Sequence, residues 1–529
     1  MPATIPTAVP TRFRWVICAL LFWVTTANYI DRGVFGNLAP ELQKEIGWTQ
    51  DQYWYMTVAF NIAYAISLLF AGRLMDVVGL RWGFVMACAF WGLASMSHSL
   101  VSTVGGFFLV RVLLGLGEGG NFPAAIKTTA EWFPKRQRAL ATGLFNCGSN
   151  VGGVLVPFGL PWLVAQFTAI SVGGHVLGWR GAFLVTGIID LAWIIAWLAI
   201  YRRPQDHPKV NAAELAMINS DPPEPTVKIP WSRLFPHRQA WAFAAAKGLT
   251  DCFWWFYLVG APYFFADRFG LSLKSRGLPV ACIYVLSSFG SIGGGWLSGH
   301  FMNLGWSVNK ARKTTLLICA LLVLPVVFAA TIEIRFGVDQ RFFERLAKAT
   351  YTSEQTVEVA GRKEKQATIQ PVPAGVQAAL RSLEGKSFDS AFRFMQAAKA
   401  AGGASLTPPM EGALIEAARL NNAYWIAVLL IALAASAHQA WSANAFSLAG
   451  DMFPRRVLGS VTGFGGFAGS VGAIALFTLV GHLRNNAIAR GEPGDYFLIF
   501  LAASLAYLTA LGVIQVLAPR LEPAKIDTQ

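Results

Sequence analysis

The sequence is short of charged residues, and its cysteines form no metal-binding or disulfide pattern. Charged residues make up 14% of the 529 positions, whereas soluble globular proteins carry about 25%. All six cysteines fall in apolar segments at no metal-ligand spacing, so we expect small buried side chains rather than ligands or bridges. Together with a mean hydropathy of +0.47, these deficits indicate a polytopic membrane protein.

The residue sets of common enzymes are also missing. The sequence has no nucleophile–base set, nucleotide-binding loop or metal spacing, so we expect neither an enzyme nor a cofactor. Its net charge of +14 lies in short loops between apolar runs. We therefore expect a lipid bilayer around the protein and no nucleic-acid partner.

Apolar windows of about 20 residues, the length that crosses a bilayer core of ~30 Å, recur along the chain. They predict an all-α membrane protein with twelve transmembrane spans, at 13–36, 53–74, 82–102, 105–128, 138–166, 180–201, 239–265, 278–301, 314–333, 422–448, 458–481 and 496–518. The first run has no small-residue cleavage site, so we expect an uncleaved span. Lys and Arg are concentrated in alternate short loops, which predicts that both termini are cytoplasmic.

An internal repeat divides the spans into two halves. The stretch "EWFPKRQRALATG" from residue 131 matches "DMFPRRVLGSVTG" from residue 451, at a constant offset of 320. We predict an N-terminal six-helix half at 1–201, a proline-rich cytoplasmic linker at 202–238 and a C-terminal half at 239–333 and 421–529. Two parallel repeats of this kind are typical of transporters, with the substrate site between them at the midplane.

Residues 334–420 interrupt this pattern with a polar insertion, which we expect outside the cytoplasm between spans 9 and 10. Within it, "AGVQAALRSLEG" and "DSAFRFMQAAKAA" predict helices. Two interpretations stay open, an external cap or a module that captures substrate or a partner. In the second case the chain could also be a sensor.

Charged residues inside spans cost roughly 2.5–3.5 kcal/mol each at a helix centre, so they usually face a cavity or a partner. In the first half these are Asp31 and Arg32 on span 1, and Arg111 and Glu118 on span 4. The helical rise places Asp31 and Arg111 at similar depth in the outer half, where they could form an ion pair. Glu118 lies near the midplane. Its charge would depend on whether an arginine or an anionic ligand is close, which suits proton coupling; a static salt bridge is the alternative.

Span 4 also carries Gly115, Gly117, Gly119 and Gly120 around Glu118. Small residues at this spacing let membrane helices approach closely. They could equally leave space for a ligand beside the acid.

Spans 7 and 10 supply a second set of polar and aromatic residues in the C-terminal half. We single out six side chains as candidates for binding a substrate with hydroxyl groups: Lys247, Trp255, Tyr257, His438, Gln439 and Asn444. Amide and imidazole groups both donate and accept hydrogen bonds, which suits hydroxyl recognition. Interhelical hydrogen bonds and ordinary core packing are the alternatives for each of them.

Several of these stretches resemble the major facilitator superfamily, in particular its anion:cation symporter branch. They are "NYIDR" (28–32), "AGRLMDVVGLRWG" (71–83), "RVLLGLGEGGNFPAAIK" (111–127) and "EWFPKRQRALATG" (131–143). Within that branch, "TDCFWWFYL" (250–258) and "AHQAWSANAFSLAGDMFPRR" (437–456) are similar to bacterial hexuronate transporters. The resemblance covers nearly all of the chain outside 334–420.

The resemblance implies twelve helices, alternating access and symport of a sugar acid with protons. In this sequence, Asp31 and Glu118 match the proton-binding acids of the branch. Four further residues match positions linked to coupling, to the substrate carboxylate or to the lining of the N-terminal half of the site: Arg32, Arg111, Tyr29 and Tyr64.

The loop after span 2 departs from the superfamily pattern. It has Asp76 followed by Val77, where the family has Asp followed by Arg. We expect Asp76 to act as a cytoplasmic gate, with Arg73 or Arg136 as the partner from elsewhere.

These observations predict a proton-coupled symporter of a sugar acid such as glucuronate or galacturonate, a monomer in a bacterial inner (plasma) membrane. Arg32, Arg111 or Lys247 would hold the substrate carboxylate. Other organic anions, such as an aldonate, a tartrate-like diacid or an aromatic acid, stay open as substrates. An anion exchanger would need arginines facing each other from spans 1 and 7, and span 7 has Lys247 instead.

Overall fold

Long helices joined by short connections make up most of the fold. The computed structural model describes residues 9–168, 170–172, 175–221, 234–271, 277–359, 362–403, 406–455, 457–490 and 496–524. Residues 222–233, which form much of the predicted linker, lie outside the described residues.

The first half of the chain follows the predicted spans closely. Its helices are α1 (Arg14–Ile46), α2 (Gln50–Val77), α3 (Leu80–Ser97), α4 (Val104–Glu118), α5 (Asn121–Trp132), α6 (Lys135–Thr168) and α7 (Gly178–Ile200). A 3-10 turn at His98–Leu100 extends α3, and the short strands β1 (Ser171–Val172) and β2 (His175–Val176) pair between α6 and α7. The N-terminus of α2 is set by a capping box, in which Thr49 and Gln52 exchange side-chain to backbone hydrogen bonds.

The helices of the second half also coincide with predicted spans. They are α9 (Arg238–Trp255), α10 (Ala261–Phe269), α11 (Gly277–Asn303), α12 (Val308–Val323), α17 (Tyr424–Met452), α18 (Leu458–Ala489) and α19 (Phe497–Leu517). A π-helical turn at Phe256–Gly260 joins α9 to α10, and a 3-10 helix at Leu324–Thr331 continues α12.

In the described part of the chain, nine helices are long and apolar enough to cross a membrane. The other three predicted spans correspond to α1, to α4 with α5, and to α9 with α10. They fall short because α1 carries Asp31 and Arg32, α4 and α5 are separated at Gly119–Gly120, and α9 carries Arg238, Lys247 and Asp251. The helical membrane fold is therefore confirmed, and the number twelve stays a prediction.

Helix packing repeats at the same offset as the sequence. A Cβ atom added at Gly152 on α6 would lie 2.7 Å from the Thr26 carbonyl oxygen of α1. One added at Gly472 on α18 would lie 2.2 Å from the Gly248 carbonyl oxygen of α9. Positions 152 and 472 thus bring the fifth predicted span of each half onto the first span of the same half.

The glycines of α4 serve close packing. An added Cβ at Gly115 or Gly119 would lie 2.5 Å or 2.6 Å from atoms of α2, and one at Gly117 would lie 2.7 Å from Trp91 of α3. Gly120 is equally tight against Ala87 of α3. Helix α4 is wedged between α2 and α3, so these glycines do not leave room for a ligand beside Glu118.

Part of the predicted linker packs on the N-terminal half. It forms helix α8 (Ala212–Ile218), whose buried Glu214 accepts a hydrogen bond from the Arg14 guanidinium at 2.8 Å. The same carboxylate accepts the backbone N–H of Phe13 at 3.0 Å. Because these N–H groups begin α1, the linker also caps the first helix.

The insertion is a small folded unit of helices and paired strands. Its elements are β3 (Phe336–Gly337), α13 (Gln340–Lys348), β4 (Thr350–Val359), β5 (Arg362–Pro371), α14 (Ala374–Leu380), β6 (Ser387–Phe388), α15 (Ala391–Gly402) and α16 (Pro408–Ala418). Both stretches expected to be helical contain helices, α14 and α15, whereas the β4–β5 hairpin was not predicted. Phe342, Leu346 and Phe394 are fully buried in its core.

The insertion is anchored at both of its ends. Phe336 pairs with Arg419 in an antiparallel bridge, so the chain leaves and re-enters the helical bundle at adjacent positions. The unit rests on the end of α10, where an added Cβ at Gly270 would lie 2.5 Å from both Ala391 and Ile415.

Candidate functional site

A cavity lies between helices of the two halves. It encloses about 590 Å³ of space, a figure that includes the solvent at its opening. The lining residues come from both halves of the chain: Tyr29, Tyr64, Leu68, Phe122, Asn146, Lys247, Asp251, Trp254, Trp255, His438, Gln439, Ser442, Phe446, Thr462, Gly466, Gly469 and Ser470. Six predicted site residues are among them, namely Tyr29, Tyr64, Lys247, Trp255, His438 and Gln439.

Lys247 and Asp251 are the lysine–carboxylate pair of this lining. They lie one turn apart on α9, and the Lys247 ammonium donates to an Asp251 carboxylate oxygen at 2.7 Å. The ammonium is also 3.4 Å from the Ser442 hydroxyl and 3.9 Å from the centre of the Phe446 ring. The cavity therefore contains a cation whose acidic partner is open to the same space.

A second ion pair lies beside the cavity in the N-terminal half. The Arg32 guanidinium contacts the Glu118 carboxylate, and Glu118 is fully buried. Aromatic rings surround the guanidinium, with Tyr64 at 4.3 Å and Tyr29 at 5.1 Å. Since both tyrosines line the cavity and Arg32 does not, the rings stand between this ion pair and the open space.

The predicted ion pair between Asp31 and Arg111 is wrong. Arg111 packs on the rings of Phe60 and Phe35, at 4.2 Å and 4.5 Å, and does not line the cavity. Its Nε and Nη1 atoms have no hydrogen-bond partner in the described structure. Similar depth in the bundle did not bring Asp31 and Arg111 together, because side chains on two helices meet only if they also point towards each other.

Asp31 instead faces α3 and α7. One carboxylate oxygen accepts the Ser95 hydroxyl at 2.7 Å. The Asp31 carboxyl also lies within hydrogen-bonding distance of Asp190, an acid that the sequence analysis missed. Both side chains are almost completely buried. Asp190 lies inside the apolar run "GIIDLAWII" of α7. Charges inside spans usually face a cavity or a partner, so the sequence contained a signal that could have identified Asp190.

A hydrogen bond between two side chains of the cavity lining connects the two halves. The Asn146 amide on α6 donates to the Gln439 side-chain oxygen on α17 at 2.5 Å. His438 is hydrogen-bonded through Nδ1 to the Tyr507 hydroxyl at 2.7 Å, and its ring stacks on Trp254 at 5.3 Å. Asn146 was not predicted, because one amide in a long apolar helix does not stand out in a sequence.

Four predicted substrate-binding residues do not line the cavity: Arg32, Arg111, Tyr257 and Asn444. Asn444 is buried and donates to the backbone carbonyls of Gly294 and Ala440, each at 2.9 Å. Tyr257 is 1% exposed and belongs to the π-helical turn after α9. Asn444 thus makes the interhelical hydrogen bond that was the alternative to substrate binding.

Asp76 joins the two halves at one end of the bundle, here called the gate end. Its carboxylate accepts the Ser460 backbone N–H at 2.9 Å and the Ser460 hydroxyl at 2.5 Å, both from α18. The third partner is Lys127 at 2.9 Å. The side chain of Arg136 is exposed, and Lys127 is a basic partner of Asp76 that the sequence analysis did not name.

Further contacts between the halves close the gate end. The Arg312 guanidinium pairs with Asp451 at 2.9 Å and donates to the Lys135 carbonyl at 2.8 Å. Next to Asp76, an added Cβ at Gly72 would lie 2.2 Å from the Gly459 carbonyl oxygen. Helices α2 and α18 are therefore in backbone contact there.

Comparison with known proteins agrees with this architecture. The family model "Major Facilitator Superfamily" matches residues 21–338. A galacturonate transporter of Dickeya chrysanthemi is 28% identical over 318 residues, which cover 59% of this chain and 89% of that protein. A hexuronate transporter of Escherichia coli (strain K12) is 27% identical over 317 residues, covering 59% of this chain and 71% of that protein.

Solved structures show the same fold. A proton:xylose symporter of the superfamily, bound to 6-bromo-6-deoxy-D-glucose, superposes with a TM-score of 0.58 at 14% identity. The alignment covers 97% of each chain. The resemblance inferred from the sequence is thus confirmed at the level of fold and family. The chain belongs to the major facilitator superfamily and is a multi-pass membrane transporter, not an enzyme.

Proposed function

We propose that this transporter carries a sugar acid anion, a hexuronate such as galacturonate or glucuronate, together with protons by alternating access. The observation that carries the proposal is the cavity, in which Lys247 lies among hydrogen-bonding and aromatic side chains. A hexuronate needs a cation for its carboxylate and a set of donors and acceptors for its hydroxyls. The names of the relatives point to the same class of substrate.

In this proposal Lys247 holds the substrate carboxylate. It is the lysine of the described cavity lining, whereas Arg32 is engaged by Glu118 and Arg111 lies behind aromatic rings. Gln439 and Asn146 offer amide groups to the sugar hydroxyls. Because these two amides bond to each other across the halves, a sugar that replaces this bond would change how the halves are held together.

Glu118 is the proposed proton site next to the substrate. Its carboxylate oxygen Oε1 has no hydrogen-bond partner in the described structure, and the other oxygen meets Arg32. A proton on Glu118 would free Arg32 and change the charge beside Tyr29 and Tyr64. Asp31, in contact with Asp190, is the second acid that we assign to proton coupling.

Asp76 is the proposed gate residue, since it joins α2 to α18 at the closed end. We place this end in the cytoplasm of a bacterial inner membrane, with both termini on that side and the two halves divided as the repeat predicts. Arg136, whose backbone carbonyl approaches Gly299 of α11, contributes to the same interface through its main chain.

An aldonate symporter is the second candidate. Lys247 supplies a place for one carboxylate, and this favours a monocarboxylate over a tartrate-like diacid. An open-chain aldonate presents the same carboxylate and a comparable set of hydroxyls. An anion exchanger would work without a proton gradient. The experiment below distinguishes it from a symporter, because uptake is measured with and without this gradient.

The test is uptake of labelled galacturonate, glucuronate and galactonate into proteoliposomes, with and without an inward proton gradient. We expect uptake of a hexuronate that rises with the gradient, and loss of this dependence in Glu118→Gln. Glu45→Gln is the matched control, because Glu45 is half-exposed at the end of α1, where it pairs with Arg180. Uptake that does not depend on the proton gradient, or full coupling in Glu118→Gln, would refute the assignment of Glu118 as a proton site.

A further inference from the structure

We propose that Asp251 is an additional proton-binding site, loaded when the substrate carboxylate takes Lys247 away from it. The proposal rests on the proposed function, because it needs an anionic substrate. It adds to the acids of the N-terminal half a carboxylate that belongs to the substrate cavity of the C-terminal half.

The geometry makes Lys247 available to either carboxylate. Lys247 and Asp251 are 2.7 Å apart, and their side chains are 4% and 18% exposed. Both line the cavity, so an anion in this space can approach the ammonium directly. Only one of the two Asp251 oxygens meets Lys247, and the other, Oδ1, has no hydrogen-bond partner in the described structure.

Charge balance in the cavity requires a proton when the anion binds. Among the described lining residues there is one positive and one negative side chain, Lys247 and Asp251, which neutralise each other. A bound monocarboxylate adds a negative charge, and an unbalanced charge in a buried site is strongly unfavourable. When the Lys247–Asp251 contact is replaced by a Lys247–substrate contact, a proton from solution that adds to an Asp251 oxygen restores neutrality. No other bond is made or broken in this step.

Asp251 is the group that takes this proton, because its neighbours are poor acceptors or remain paired. The nearby titratable groups are Tyr29 on α1, His438 on α17, Tyr507 on α19 and Cys252. Tyrosine and cysteine side chains are already protonated at neutral pH. His438 faces the Lys247 ammonium, which opposes a second positive charge. Glu118 is paired with Arg32, and neither residue belongs to the cavity lining.

The position of Asp251 also links its charge to helix packing. An added Cβ at Gly469 of α18 would lie 2.8 Å from the Asp251 carboxylate. The acid therefore rests directly on the α18 backbone, and α18 carries Ser460 at the gate end. The helix that contacts Asp251 is thus the helix that must move when the gate opens.

This arrangement predicts that a neutral cavity is needed for either form of the carrier to change sides. The empty carrier is neutral through the Lys247–Asp251 pair, and the loaded carrier through the substrate and a protonated Asp251. Asp251→Asn leaves an unpaired Lys247 in the empty carrier only. We expect this variant to exchange galacturonate across the membrane near the wild-type rate, while net uptake falls by at least about tenfold.

Proton uptake on binding is the second readout. We expect calorimetry of galacturonate binding to the purified transporter, in buffers of different ionisation enthalpy, to show about one proton fewer per bound galacturonate in Asp251→Asn than in the wild type. Asp251→Glu should restore both proton uptake and net transport. Asp267→Asn is the control, since Asp267 lies on α10, outside the cavity lining, and bonds to the Tyr496 hydroxyl.

The failure of this inference differs from the failure of the proposed function. If the wild-type protein binds galacturonate and Asp251→Asn takes up the same number of protons, Asp251 is not a proton site. Equal loss of exchange and net uptake in Asp251→Asn would also overturn the proposal. If the wild type neither binds nor transports any sugar acid, the proposed function itself fails.

Discussion

Replacing Asp76 by asparagine should open the gate end of the bundle. The Asp76 carboxylate accepts two hydrogen bonds from Ser460 across the interface between α2 and α18, at 2.9 Å and 2.5 Å. It also pairs with Lys127 of its own half, at 2.9 Å. An asparagine keeps one acceptor oxygen but loses the negative charge. Its NH₂ group would face Ser460 and Lys127, which are themselves hydrogen-bond donors here.

The magnitude follows from the two bonds that cross the interface. Hydrogen bonds to a charged group contribute about 1.5–3 kcal/mol each, and neutral ones about 0.5–1.5 kcal/mol. If asparagine retains one neutral bond to Ser460, closure of the gate end loses at least about 1.5 kcal/mol. That free energy corresponds to a shift of the population towards the open gate of roughly tenfold or more.

Pulsed electron paramagnetic resonance measures this shift directly. Spin labels can be attached at Val78, which follows α2, and at Leu304, which follows α11. Both positions are exposed, Val78 to 44% and Leu304 to 62%. We expect a single short distance in the wild type and an added population at longer distance in Asp76→Asn. Ser460→Ala removes only the hydroxyl donor, so its shift should be smaller.

The control is Asp206→Asn, which removes an exposed carboxylate in the linker that follows α7. It should leave the distance distribution unchanged. The reasoning is refuted if Asp76→Asn and the wild type show the same distribution, or if Ser460→Ala opens the gate further than Asp76→Asn does.

The remaining predictions concern the cavity, the packing of α4 and the insertion. Lys247→Gln should raise KM for galacturonate about 10- to 100-fold, measured as transport kinetics, because a charged hydrogen bond of about 1.5–3 kcal/mol is lost; an unchanged KM would exclude Lys247 as the carboxylate partner. Gly117→Ala should lower stability in detergent by about 1–3 kcal/mol, since its new methyl group collides with Trp91, whereas Gly105→Ala, with no atom within 4 Å of the added Cβ, should not. Equal thermal midpoints for the two variants would contradict this. Replacing 338–418 by a short glycine turn should leave KM unchanged, because no described residue of the insertion lines the cavity; a raised KM would instead indicate substrate capture by this unit.

The repeat at offset 320 shows how far sequence reasoning reached. It was read from matching letters at residues 131 and 451, and the structure reproduces it in the packing of Gly152 and Gly472. A glycine at a helix contact is a local requirement, which duplicates with the sequence. Lys247 and Glu118 could be named as candidates in the same way, since a charge inside an apolar span is visible without any structure.

Ion-pair partners were harder to predict. Arg32 and Asp31 are neighbours in the chain, yet Arg32 meets Glu118 and Asp31 meets Ser95 and Asp190. Successive residues of a helix point about 100° apart, because one turn takes 3.6 residues. Depth in the membrane follows from counting residues, but the direction of a side chain also depends on how each helix is rotated against its neighbours.

By itself, the sequence determined that this chain is a helical membrane transporter, and which rare polar residues its spans contain. These properties follow from the length and composition of single segments. The tertiary structure alone decided that Lys247 and Asp251 share a cavity, that Arg32 holds Glu118 behind two tyrosines, and that Asp76 joins Lys127 to Ser460. Such contacts join residues far apart in the chain, and they depend on helix rotation and close glycine packing, which no single segment encodes.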